Sequence, residues 1–124
     1  MPTIKEHMDR GEVTAAKARL DQIFDLLMTM ARKGIIDGDH ALIRNNNIGF
    51  VKDRAIYIDI GHVTKREGHD VEKQMDYEFK RRLIPLADWL NIKYPELFSY
   101  YTLKRDQIMA SLAKKEPTEH LATN

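Results

Sequence analysis

The sequence predicts a mostly helical α+β domain with one small antiparallel β-hairpin set among its helices. Three observations carry this. Leu20, Ile23, Phe24, Leu27, Met30 and Ala31 recur at three- and four-residue steps, the apolar stripe of an amphipathic helix. Ile56, Ile58 and Ile60 alternate with Tyr57 and Asp59, the period of two that marks a half-buried strand. Val71, Met75, Phe79, Leu83, Leu86 and Leu90 then form a second helical stripe. At 124 residues the chain has the length of one domain, and a hydrophobic share of 43% is enough to build a core.

Residues 1–12 carry mixed charges, Pro2 and Gly11 without a clear period, so they read as a flexible lead-in with room for a short helical piece. One domain is expected over 13–115. Its first helix starts beside Glu12 or Thr14 and ends at Lys33-Gly34, a cation followed by a residue suited to a left-handed cap. Ile35 and Ile36 lead into a polar loop. Ile48 to Val51 is predicted as a strand, Lys52-Asp53-Arg54 as a turn and Ala55 to Ile60 as the second strand. A two-stranded hairpin is marginal in water, so it must pack on a helix. Gly61 to Asp70 reads as irregular, with Asp70 as the N-cap of the next helix. Pro85 lies inside the second stripe, where it removes a backbone donor and crowds the preceding turn. A kink or break is therefore expected between Arg81 and Pro85. Pro95 suits the first turn of a last helix, whose Leu97, Tyr101, Ile108 and Leu112 carry it to about Lys115. Residues 116–124 read as a frayed tail.

Lys and Arg number 20 against 19 Asp and Glu, a formal net charge of +1. That balance gives no support for a nucleic-acid partner, which calls for a basic excess on one face. It equally argues against attachment to acidic lipid by charge. With no cysteine, disulfides, Cys-ligated zinc and thiol catalysis are excluded. The polar start MPTIKEHMDRGE lacks the apolar region of a signal peptide, and no apolar run has the length of a membrane span. A cytoplasmic protein is expected.

The chemistry-bearing side chains gather between Lys33 and Val63. Asp37 and Asp39 precede Asn45, Asn46 and Asn47, and Asp59-Ile60-Gly61 closes the predicted hairpin. Oxygen ligands clustered at a hairpin mouth suit a metal-phosphate site. A turn-rich loop uses the same residues: Asn tolerates left-handed backbone and bonds locally, and Asp-x-Gly satisfies donors at a strand end.

The order helix, polar loop with Asp and Asn, hairpin, then Asp59-Ile60-Gly61 resembles the catalytic half, the C-lobe, of the protein-kinase-like fold in its aminoglycoside-phosphotransferase-like branch. The resemblance covers Leu20 to Val63. It implies that Asp59 matches the metal-binding Asp of the Asp-Phe-Gly motif, with Gly61 as that motif's glycine, and that Asn46 or Asn47 matches the magnesium-binding Asn. The family's catalytic Asp falls on Ala41 or Leu42, so Asp37 or Asp39 would serve as base only across a longer loop. The His-Arg-Asp form is absent, and these 124 residues hold neither a Gly-rich phosphate loop nor a Val-Ala-Ile-Lys strand.

Other side chains have bland and sharp uses side by side. His40, His62 and His69 lack the spacing of a zinc site. Lys80, Arg81 and Arg82 would suit phosphate, but on an amphipathic helix such a run is usually the solvated face. Trp89, Tyr94, Phe98, Tyr100 and Tyr101 are expected as core, and as a partner surface if several are exposed.

The resemblance therefore implies a non-catalytic, pseudokinase-type module that acts through contacts with a protein partner or through self-association, with no cofactor. Its alternative is a phosphotransferase half, with magnesium and ATP, completed by a separate nucleotide-binding lobe. A further alternative is an unrelated small α+β binding domain, which a hairpin not packed over the first helix would establish.

Overall fold

Helix α2 (Val13–Arg32) forms where the first apolar stripe predicts it and buries Ala16, Leu20, Ile23, Phe24, Leu27, Met30 and Ala31 along one side. The computed structural model describes residues 2–37, 48–57, 63–65 and 70–122. The end of α2 follows the sequence: Lys33 N–H donates to the Thr29 carbonyl at 3.1 Å, and Gly34 at φ +70° donates to Ala31 at 3.1 Å. Such left-handed backbone is where glycine serves. At the start, Glu12 makes no side-chain cap and instead meets the His7 ring at 3.1 Å.

The first residues differ from the flexible lead-in that their mixed composition suggests. They form α1 (Pro2–Asp9), which packs on α2 with Ile4 completely buried. Gly11 at φ +73° makes the sharp connection. One apolar anchor in two turns carries no readable period, yet a single buried isoleucine contributes about 2 kcal/mol, enough to hold a short helix against a neighbour.

The hairpin is formed by β2 (Ile48–Val51) and β3 (Arg54–Tyr57), paired antiparallel from Ile48↔Tyr57 to Val51↔Arg54. It packs on α2 with Ala55 buried. Arg19 of α2 fastens the turn. Its guanidinium donates to the Lys52 carbonyl and to Gln22 Oε1, each at 2.9 Å, and lies 4.8 Å from the centre of the Phe50 ring. Lys52 sits at φ +56°. A side chain is strained there and glycine is not, so Lys52→Gly is expected to stabilise the protein by about 0.5–1 kcal/mol. Urea unfolding measures this, and an unchanged midpoint would mean that the side chain returns as much in packing as the turn costs.

A second antiparallel pair lies outside the expected single hairpin. Strand β1 (Ile35–Asp37) pairs with β4 (Val63–Lys65), with Ile35↔Lys65, Ile36↔Thr64 and Asp37↔Val63 opposite one another. The expectation that Gly61 to Asp70 is irregular is thus corrected at 63–65. Three residues are too short to show a period of two, and their partner lies far away in the chain.

Helix α3 (Val71–Tyr77) is capped as the sequence indicates, with Asp70 Oδ1 accepting from the Lys73 N–H at 3.2 Å. The break expected between Arg81 and Pro85 is a π-helical turn over Glu78–Arg82, followed by Leu83 and then α4 (Ile84–Lys93). Widening the helix by one residue per turn moves Pro85 into the first turn of α4, where its missing N–H has no partner to lose. Helix α5 (Pro95–Ala122) starts at its proline as predicted and runs past Lys115, the expected end, through the segment read as a frayed tail. Among the described residues no helix is long and apolar enough to cross a membrane.

The core gathers around four aromatic residues contributed by three elements. Phe24 of α2, Phe79 of the π-helical turn, and Tyr101 and Phe98 of α5 lie with contacting ring centres 5.4–6.3 Å apart: Phe79 meets Phe24 and Tyr101 edge to face, Phe24 and Tyr101 are tilted, and Phe98 stacks on Tyr101. Of the aromatic residues expected as core, Tyr101 is buried, while Trp89, Tyr94, Phe98 and Tyr100 are half-buried. The Lys80–Arg82 run is split by the π-helical turn. Lys80 and Arg81 are exposed, whereas Arg82 is 1% exposed and ion-paired with the buried Glu78.

Candidate functional site

Each antiparallel pair closes one side of the same frame. Asp37 ends β1 and lies opposite Val63 of β4. Ile48 begins β2 and lies opposite Tyr57, the last residue of β3. The segment 38–47 therefore leaves from Asp37 and returns at Ile48, while the segment 58–62 leaves from Tyr57 and returns at Val63. Both ends of one segment are hydrogen-bonded neighbours of the two ends of the other. These two segments carry nearly all the side chains that the sequence singles out.

Asp37 is placed by its backbone at the end of β1. Asp39, Asn45, Asn46, Asn47, Asp59 and Gly61 lie outside the described residues, as do His40, His62 and His69. Among the described residues there is no group of three or more His, Asp or Glu placed to hold a metal ion. What the fold contributes to the site is its support. Helix α2 lies beneath the hairpin, and Ala55 is small enough to let β3 approach it closely. Arg19 holds the hairpin turn from below.

The two faces of the hairpin differ as the pleat requires. Phe50 and Ala55 point inward, and Gly49, Val51, Arg54 and Ile56 share the outward face. Val51 is 52% exposed and Ile56 38%, with the exposed Arg54 between them. Two β-branched residues on the outer side of a hairpin leave an apolar strip facing solvent. The alternation that announces the second strand also places Ile56 among its apolar positions, but it does not say which side of the strand meets the helix.

Sequence reasoning missed Glu78 and placed Arg82 on a solvated face, whereas both are buried. Gln74 Nε2 donates to Glu78 Oε1 at 3.0 Å, and Arg82 Nη1 donates to the same oxygen. Glu78 and Arg82 stand four apart, a spacing that usually signals a surface ion pair. Only the aromatic residue between them, Phe79, hints that this side of the helix faces the core. Comparison with known protein families, with curated proteins and with solved structures finds no match to this chain.

Proposed function

We propose that the chain is a kinase-like half-domain without independent catalysis, working through contacts with a protein partner or a second copy of itself. The observation that carries this reading is the double clamp: Asp37↔Val63 and Ile48↔Tyr57 pair the residues that flank, in sequence, Asp39, Asn46, Asn47 and Asp59. Packing of the hairpin over the first long helix supports the same architecture and speaks against the unrelated-domain alternative. The contact role is supported by the outward strip of Val51 and Ile56, which lies on the hairpin rather than in the core. A partner that covers it removes apolar area from water. Phosphoryl transfer depends on charges positioned around the phosphates from several directions. These 124 residues contribute neither a phosphate loop nor its lysine.

The second reading, a magnesium-dependent phosphotransferase half, is favoured by the same clamp, because it brings the flanks of an Asp/Asn segment and of Asp59-Ile60-Gly61 side by side. Calorimetric titration with ATP, with and without magnesium, separates the two. The chain alone is expected to bind no nucleotide up to millimolar concentration. Magnesium-dependent binding that disappears in Asp59→Asn would instead establish the enzyme reading, with Asp59 and Asn46 or Asn47 at the metal and Asp37 or Asp39 as base. In parallel, Val51→Asp with Ile56→Asp is expected to weaken self-association in sedimentation velocity. Unchanged self-association would move the contact surface away from the hairpin.

A further inference from the structure

Between α2 and α5, which diverge, lies a groove of about 1020 Å³ that is open to solvent along one side. Its α2 wall runs from Asp21 to Arg32, its α5 wall from Lys104 to Leu112, and the beginning of α3 closes it between them. The twelve residues from Asp21 to Arg32 make the longer wall about 16 Å, some three turns. The floor is apolar and only half-buried, formed by Met28, Val71, Ile108 and Leu112 over Phe24. Each of these four packs against the core with one side and faces the groove with the other.

The rim is not neutral. Among the described residues, Asp21, Asp25, Asp70 and Glu72 supply four carboxylates against two cations, Arg32 and Lys104. Lys104 stands 3.9 Å from Asp21, whose two oxygens also accept from the Tyr100 hydroxyl at 2.8 Å. Asp25, one turn further along α2, is exposed on the same wall. The chain as a whole has a formal net charge of +1, so the described lining of the groove is opposite in sign to the chain.

We propose that this groove docks a basic amphipathic helix of a partner protein. Two helical walls with a half-buried floor offer a third helix the ridges and grooves that helices use to pack. Met28 gives that floor an adaptable side chain. The carboxylate rim selects lysine or arginine flanking the partner's apolar face and disfavours an acidic one. This surface is separate from the outward strip of the hairpin and does not rest on the kinase-like reading.

The test is fluorescence polarisation with a labelled leucine–lysine peptide patterned as a four-turn amphipathic helix, beside the same peptide with glutamate for lysine. Asp25→Lys combined with Ser111→Lys changes one exposed position on each wall. The lysine peptide is expected to bind the wild-type protein and to lose at least about tenfold in affinity for this variant. The glutamate peptide is expected to bind at least about tenfold more weakly to the wild type. Val51→Asp with Ile56→Asp should leave the lysine peptide's affinity unchanged, and a cooperative thermal melt of each variant secures that it is folded. Three results would overturn the proposal: no binding of the lysine peptide, equal binding to wild type and groove variant, or wild-type self-association that the groove variant abolishes. The last would make a second copy of this chain the occupant.

Discussion

Replacing Arg82 with methionine lowers the stability of this protein by about 3–5 kcal/mol, the range for breaking a buried ion pair by removing one partner. The side chains of Arg82 and Glu78 are 1% and 2% exposed, and Gln74 donates to the same Glu78 oxygen. Removing the guanidinium leaves the carboxylate in the core without its principal counter-charge. Its return to water is prevented by the aromatic residues around it, so it must take up a proton or rearrange the turn. Replacing both charges, Glu78→Leu with Arg82→Met, is expected to cost clearly less than the sum of the two single changes, because no charge then stays behind. A double-mutant cycle in urea gives the coupling directly. A coupling near zero would show that each charge is held by other neighbours. The pair also sits within the π-helical turn that sets α4 at its angle. A loss of this size is therefore expected to reach α4 first, as faster amide exchange over Ile84–Lys93 in the single variant.

Raising the pH above 10 removes a second large contribution, from Tyr101. Burial pushes its hydroxyl up to about 12 from an ordinary 10.0, with the Arg105 charge acting weakly in the other direction. The folded protein thus holds this proton more tightly than the unfolded chain does. Stability from it is complete below about pH 10 and is lost as the pH rises through about 12, approaching about 3 kcal/mol. Tyr100 moves the same way, up to about 12 through burial and its bond to Asp21, but it is half-exposed and solvent screens most of its effect. Urea unfolding at about pH 9 and about pH 11 measures the fall, and Tyr101→Phe is expected to flatten it. The hydroxyl of Tyr101 is buried and has no hydrogen-bond partner among the described residues. At neutral pH, Tyr101→Phe should therefore gain about 1 kcal/mol. An alkaline slope that persists in Tyr101→Phe would assign it to other groups.

Local pattern carried much of this architecture. The α2 stripe, the Lys33-Gly34 end, the Ile48–Val51 strand, the Asp70 cap, the break before Pro85 and the start at Pro95 are each written in residues within one or two turns of the feature. Propensity, capping and proline geometry act at that range. The β1–β4 pair was not legible because its partners are about thirty residues apart and each strand is only three residues long. Helix α1 was legible only as room for a short helical piece within a flexible lead-in, since Ile4 is its one fully buried apolar residue and Met8 is only partly buried against the core. Of the candidate site, the residue types were legible from the order of Asp, Asn and Asp-Ile-Gly. The frame that draws their flanking strands together was not, because register between distant strands is a tertiary property.

The sequence by itself determined that helices form from Val13, Val71 and Pro95, that the first of them ends at Lys33-Gly34, and that a short hairpin lies among them, because those features answer to neighbouring residues. Tertiary structure alone decided which face of the hairpin stays outside, why Arg82 is buried while Lys80 is not, and how α2 and α5 separate into an acidic groove. Each of these depends on what lies opposite a side chain after the chain has folded back. Burial, and with it the cost of a charge or the raised pKa of a tyrosine, is a property of those opposing surfaces.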